Sequence, residues 1–194
     1  MKKAIIYIIL FASFMSGQTL EELQNRFNDM KKFSVKFTQI VNGKKGLNGT
    51  FYHKKENNLR LEMRNVVVVS DGESVWSYNK SLKKITVTWL EGTPLETFDL
   101  TSFVNEFPKN ADAEEVTVNG KKGIRLKAKK KSEAVSEALI ILNETGLISE
   151  LTVTNKDKSV MKLSFSSYNI NSSSISDALF TMEQPEGVET VDLR

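Results

Sequence analysis

The sequence has no cysteine, a single histidine and only three prolines. Without cysteine there is no disulfide framework, no thiolate chemistry and no thiol near the N-terminus for lipid attachment. His53 alone excludes zinc sites built from several histidines, and any Ser-His-Asp arrangement would depend on that one residue. Lying between Tyr52 and Lys54 at a strand end, it reads as a solvated or hydrogen-bonded side chain rather than a base. Glycine-rich phosphate loops are missing too: Asn42-Gly43-Lys44-Lys45-Gly46 lacks the Walker spacing and has the form of a hairpin turn. The reading is therefore of a non-enzymatic binding protein with no metal and no cofactor.

One apolar run opens the chain, from Ala4 to Ala12 behind Met1-Lys2-Lys3, and it is too short to span a bilayer. The pattern predicts a signal peptide over residues 1–17, with Ser13, Ser16 and Gly17 preceding a cut that frees Gln18. Its removal takes away two lysines and no acids, which leaves 25 basic residues against 24 acidic ones. A net charge of +1 in place of +3 supplies no long-range attraction to a polyanion such as DNA or RNA. Residues 18–194 are expected to form one exported, soluble domain, since no linker or fixed-period repeat divides them.

Thr19-Leu20-Glu21-Glu22 has the form of a capping box, and Leu20, Leu23, Phe27 and Met30 follow at helical spacing, which predicts a helix over 20–31. The period then changes to two. Phe33, Val35 and Phe37 alternate with polar residues, as do Leu59, Leu61 and Met63. Val66 to Val69, then Asp71-Gly72, then Val75-Trp76-Ser77-Tyr78 predict a hairpin, and Ile85, Val87 and Trp89 a further strand. A second capping box, Thr93-Pro94-Leu95-Glu96, opens a predicted helix carrying Leu95, Phe98, Phe103, Val104 and Phe107 and ending before Pro108. Strands resume at 116–118, turn at Asn119-Gly120, and continue at 124–128, 138–142, 147–154 and 159–169, for about ten strands in all. An antiparallel sheet of that size curls into a barrel or half-barrel, whose inner face is filled by side chains, by a helix or by ligand.

Two features have competing readings. The basic stretch Lys121, Lys122, Arg125, Lys127, Lys129, Lys130 and Lys131 would suit an anionic partner, but its alternation with apolar residues favours a solvated edge strand. It has no interleaved aromatics for stacking on nucleic acid bases. The stripe Leu95, Phe98, Phe103 and Phe107 is either ordinary core packing or a lid over a lipid cavity.

Three segments together resemble the outer-membrane lipoprotein carrier family (LolA). They are Gly49-Thr50-Phe51-Tyr52-His53-Lys54-Lys55-Glu56-Asn57, then Val69-Ser70-Asp71-Gly72 through Val75-Trp76-Ser77-Tyr78-Asn79 to Thr88-Trp89-Leu90, and lastly Phe180-Thr181-Met182-Glu183-Gln184-Pro185-Glu186-Gly187-Val188-Glu189. The resemblance implies an incomplete antiparallel β-barrel, mainly β with helices plugging its concave face. It also implies a monomeric periplasmic carrier that takes acylated lipoproteins from an inner-membrane export transporter to an outer-membrane acceptor. On that fold Phe37, Phe51, Leu59, Leu61, Trp76 and Trp89 are expected to line the lipid cavity from the sheet, and Leu95, Phe98, Phe103 and Phe107 from the helix. Where family members often carry Arg-Pro, this chain has Lys55-Glu56. Lys55 is then the lid-gating candidate, although a lysine is a point donor and lacks the planar fork of arginine. The alternatives are a periplasmic sensor or interaction module, or a carrier of another lipid such as glycolipid, on the same fold.

Overall fold

The amphipathic stretch after residue 17 folds into a helix, α1 (Gln18–Asp29), in a computed structural model that describes residues 18–55, 58–91, 93, 100–130 and 134–194. The proposed signal peptide and the residues 56, 57, 92, 94–99 and 131–133 lie outside the described residues. The helix buries Leu23 and Phe27, and Met30 is buried just past its end, each burial favouring the fold by about 1.5–3 kcal/mol. Its start differs from the capping-box expectation. Thr19 lies within the first turn, and its backbone N–H donates to Glu115 Oε1 at 3.0 Å, so a carboxylate distant in sequence satisfies a free helix N–H.

Six strands follow: β1 (Lys32–Val41), β2 (Lys44–Lys54), β3 (Asn58–Met63), β4 (Val66–Ser70), β5 (Ser74–Asn79) and β6 (Lys84–Trp89). The Asn42-Gly43 turn is tighter than the five-residue turn expected, with both residues at positive φ (48° and 76°) and Lys44 already paired to Val41. The Asp71-Gly72 hairpin forms, with Asp71 Oδ1 accepting from the Glu73 and Ser74 amides at 3.0 and 2.9 Å. At Gly49 the β2 and β3 backbones approach so closely that an added Cβ would lie 2.1 Å from the Glu62 carbonyl oxygen.

Between the sheet halves, the described part of the second helical segment runs from Leu100 through a π-helical turn at Ser102–Glu106 into a 3-10 turn at Phe107–Asn110. The chain therefore does not leave helical structure before Pro108. Proline near the start of a new turn lacks only an N–H that would have no partner there. Then come β7 (Ala111–Val118), β8 (Lys121–Ala128), β9 (Val135–Leu142), β10 (Ile148–Asn155), β11 (Val160–Ile170), a 3-10 turn at Asp177–Phe180 and β12 (Glu189–Asp192).

All twelve strands belong to one sheet, ordered β12-β6-β5-β4-β3-β2-β1-β11-β10-β9-β8-β7. Every pairing is antiparallel except β12 with β6. The order has two ends, so the barrel is incomplete. Laid flat, nine strand spacings would separate β5 from β7 by about 40 Å, yet Val75 and Ala111 belong to one packed core with α1 and the 100–104 segment. The sheet curls around the helices.

Candidate functional site

Register assigns each side chain to a face. Phe33, Val35 and Phe37 on β1 stand opposite His53, Phe51 and Gly49 on β2, and His53 and Phe51 in turn face Leu59 and Leu61 on β3. In the other direction the same face continues through Phe165 and Leu163 on β11, Leu151 on β10, Ile140 on β9 and Ile124 on β8. These residues form the concave lining, and α1 lays Leu23 and Phe27 on it, with Met30 just past its end, beside Leu100, Phe103 and Val104. Phe33 is the aromatic centre, with ring centroids 5.9 Å from Phe27, 5.8 Å from Phe51 and 6.2 Å from Tyr168.

His53, expected to be solvated or hydrogen-bonded, is partly buried on the concave side and stacks on Phe33 at 5.2 Å. Burial pushes the Tyr168 hydroxyl above its ordinary pKa; it donates to the Ile148 carbonyl at 2.9 Å. Polar contacts mark the seam between the two helical pieces. Gln24 Nε2 donates to the Val104 carbonyl at 2.9 Å, and Asn105 Nδ2 donates to Asn28 Oδ1 at 3.1 Å. A groove of about 610 Å³ opens beside the C-terminal end of α1, between Met30, Leu147, Tyr168 and Ile170.

Five of the expected lining residues therefore meet. Phe37, Phe51, Leu59, Leu61 and Phe103 are buried in the main core, and Phe107 packs against it 5.9 Å from Phe103. Leu95 and Phe98 lie outside the described residues. Lys55 is exposed in the turn after β2, its backbone N–H donating to the Lys31 carbonyl at 2.9 Å.

The two tryptophans depart from the expectation. On β5, Val75 faces inward, so Trp76 and Tyr78 face out, where with Ile85, Val87, Val188 and Met182 they form a second, convex cluster. Trp89 shares that outward parity on β6; it is 55% exposed, with the Arg194 guanidinium 5.5 Å from its ring. Alternation on a strand identifies which residues share a face but not which face is concave.

The closing segment explains the convex cluster. Phe180 is buried, Gly187 at φ 72° lets the Val188 amide turn back to the Pro185 carbonyl at 3.2 Å, and Val188 enters the cluster just before β12. Arg60 Nη1 holds the segment by donating to the Leu179 carbonyl at 3.0 Å. The second and third sequence segments that carry the resemblance thus pack on one another, outside the concavity.

The basic stretch is also clarified. Strand β8 is not an edge, because β7 covers it. On the convex side Arg125 pairs with Glu114 and Glu137 at 3.5 and 3.8 Å, and Lys129 with Asp112 at 3.6 Å, so acidic neighbours offset its charge.

The profile of the family described as outer membrane lipoprotein carrier protein LolA matches residues 28–183. An outer-membrane lipoprotein carrier protein of Glaesserella parasuis is 27% identical over 94% of this chain and 89% of its own length. One from Haemophilus ducreyi is 28% identical over 100% of this chain and 98% of its own. Two solved structures share the fold. An uncharacterized conserved protein from Thermus thermophilus superposes with a TM-score of 0.60 at 10% identity, over 92% of this chain and 99% of that one. MucB gives 0.54 at 18%, over 89% of this chain and 65% of that one. With the match spanning most of the chain, and an open twelve-stranded sheet curled around helices, the protein belongs to the LolA family of outer-membrane lipoprotein carriers.

Proposed function

We propose that the chain, freed of residues 1–17, shuttles lipoproteins across the periplasm as a monomer. It shields their acyl chains against the concave face and passes them from an inner-membrane export transporter to an outer-membrane acceptor. The observation that carries this reading is a large apolar concave face plugged by two helical pieces whose mutual seam is polar. Acyl chains in water are unfavourable by about 0.8 kcal/mol per methylene, so a carrier needs extended apolar shielding. It also needs to let go. Van der Waals contacts without direction suit both demands, and hydrogen bonds at the helix seam can be exchanged for water when the helices part.

In the empty protein Phe27 and Phe103 occupy the space that an acyl chain would enter, so no dry void has to be maintained. Loading then displaces the helical pieces while the sheet keeps its register. No described helix is long and apolar enough to cross a membrane.

The absence of cysteine makes the test direct. In Asn28→Cys/Asn105→Cys, a reducible crosslink between the two thiols, placed where the amide side chains now meet at 3.1 Å, fastens the two helical pieces together. Uptake of an acylated lipoprotein should be lost when this variant is crosslinked and restored by reductant. Undiminished uptake by the crosslinked form would refute the moving plug.

A further inference from the structure

The near-zero net charge hides an uneven distribution. In a meander, alternate turns lie at the same end of the sheet, and main-chain hydrogen bonds tie those at one end together. Asn42 N donates to Val160 O, Lys80 N to Asn65 O, Glu189 N to Lys83 O, and Lys156 N to Ala134 O. This end carries Lys44 and Lys45 after the β1–β2 turn, Arg64 between β3 and β4, and Lys80, Lys83 and Lys84 between β5 and β6. The β8–β9 connection adds Lys130, and the β10–β11 turn Lys156 and Lys158. Among the described residues of these five turns the one acid is Asp157; beyond them, Asp112 is paired with Lys129, Glu189 stands opposite Lys84, and Glu62 and Glu183 line a groove shared with Lys80. At the opposite end bases are interspersed with acids: Asp71, Glu73, Glu91 and Glu144 sit in its turns, and Lys54 pairs with Asp177 at 2.8 Å.

The basic turns also expose large apolar side chains. Leu82 is 71% exposed at the tip of the β5–β6 turn, Leu47 46%, and Val41 and Val160 flank the β1–β2 tip. Lysines ringing projecting aliphatic side chains match an anionic lipid surface, where the ammonium groups meet headgroups and the aliphatic tips enter the interface. An acidic protein would satisfy the lysines but leaves the scattered aliphatic tips without a pocket.

We propose that this end of the sheet, led by the Lys80-Ser81-Leu82-Lys83-Lys84 turn, docks the protein reversibly on anionic bilayers. Met63, Val66, Val135 and Met161 sit just inside the same end and pack against the main core. Docking there brings the core within reach of the bilayer, a consequence that rests on the carrier reading, whereas the docking itself does not.

Flotation of the full mature chain with phosphatidylcholine vesicles, with and without about 30% phosphatidylglycerol, tests the proposal. The anionic vesicles should bind at least about tenfold more protein at low salt, and about 0.5 M NaCl should abolish most of the difference. Lys80→Glu/Lys83→Glu/Lys84→Glu should lose that preference, Leu82→Ser should weaken binding without removing its salt dependence, and Lys121→Glu/Lys122→Glu at the opposite end should bind as wild type. Thermal melts establish that each variant is folded. Equal binding to both vesicle types, equal loss in the opposite-end variant, or retention of an acidic protein partner without vesicle binding would each overturn docking. Uptake of acylated lipoprotein in solution is measured separately: a chain that loads but does not float refutes docking alone, and one that floats but does not load refutes the carrier reading alone.

Discussion

The β3–β6 half of the sheet is covered on both faces, the β7–β11 half on one. In β4 all of Val67, Val68 and Val69 are buried: Val68 faces the concave core, while Val67 and Val69 face out on the side where the closing segment packs. In β8, by contrast, buried Ile124 and Leu126 alternate with half-buried Arg125 and exposed Lys127, whose side of the sheet holds ion pairs. On the carrier reading proposed above, one sheet performs two tasks. Its concave face runs across both halves and is suited to cargo, while the second layer over β3–β6 serves stability.

If that division holds, truncating the concave centre should cost most. Phe33→Ala is expected to destabilise by about 3–5 kcal/mol in urea unfolding, because Phe33 is 1% exposed and touches four aromatic rings. Trp76→Ala should cost about 2 kcal/mol, since its ring is only partly buried, and should leave acyl loading unchanged. Reduced loading in a folded Trp76→Ala protein would break the division of tasks. A spectroscopic form of the same comparison uses both native tryptophans: a brominated acyl chain should leave Trp76 and Trp89 emission nearly unquenched, and quench a tryptophan introduced by Phe107→Trp. On the uncovered half, Arg125→Ala should cost no more than about 1 kcal/mol, its partners being partly solvated carboxylates.

The smallest effect concerns Lys54 and Asp177, where the closing segment meets the sheet. The lysine's hydrogen bond, then its charge, lowers the Asp177 pKa. A lowered carboxyl pKa stabilises the fold above its unfolded value and loses that contribution as pH falls through the folded value. Asp177→Asn should therefore melt slightly below wild type at neutral pH, with the difference shrinking as pH falls below the ordinary aspartate range and vanishing below the lowered folded value. Solvent screening of the exposed carboxylate keeps the difference small.

Much of this was legible from local pattern. Period two located nearly every strand, and Asn42-Gly43 and Asn119-Gly120 marked hairpins because their backbones require positive φ. The Val66–Val69 run was readable as a strand, but its burial on both faces depends on a segment more than 100 residues later. Strand β12 escaped notice because Glu-Thr-Val-Asp is short and polar, and its parallel partner β6 is reached only by crossing the sheet. For the site, Phe37, Leu59 and Leu61 stand out by alternation and Phe51 through the resemblance; Trp89 alternates equally well with Ile85 and Val87, but that face is the convex one. The signal that could have placed Trp76 outside is its parity against Val75 together with the buried Phe180 and Val188 of the closing motif.

The sequence by itself determined the first helix to within two residues at each end (20–31 expected, 18–29 found), the hairpins and the family, because these follow from periodicity, turn chemistry and motifs read within a few residues. Only the tertiary structure decided which side of each strand is concave, that Glu115 caps α1, that the basic β8 is flanked by acidic strands, and that the basic turns from Lys44 to Lys158 gather at one end of the sheet. Each of these depends on register between segments far apart in the chain, which hydrogen bonding across the sheet sets and local pattern does not encode.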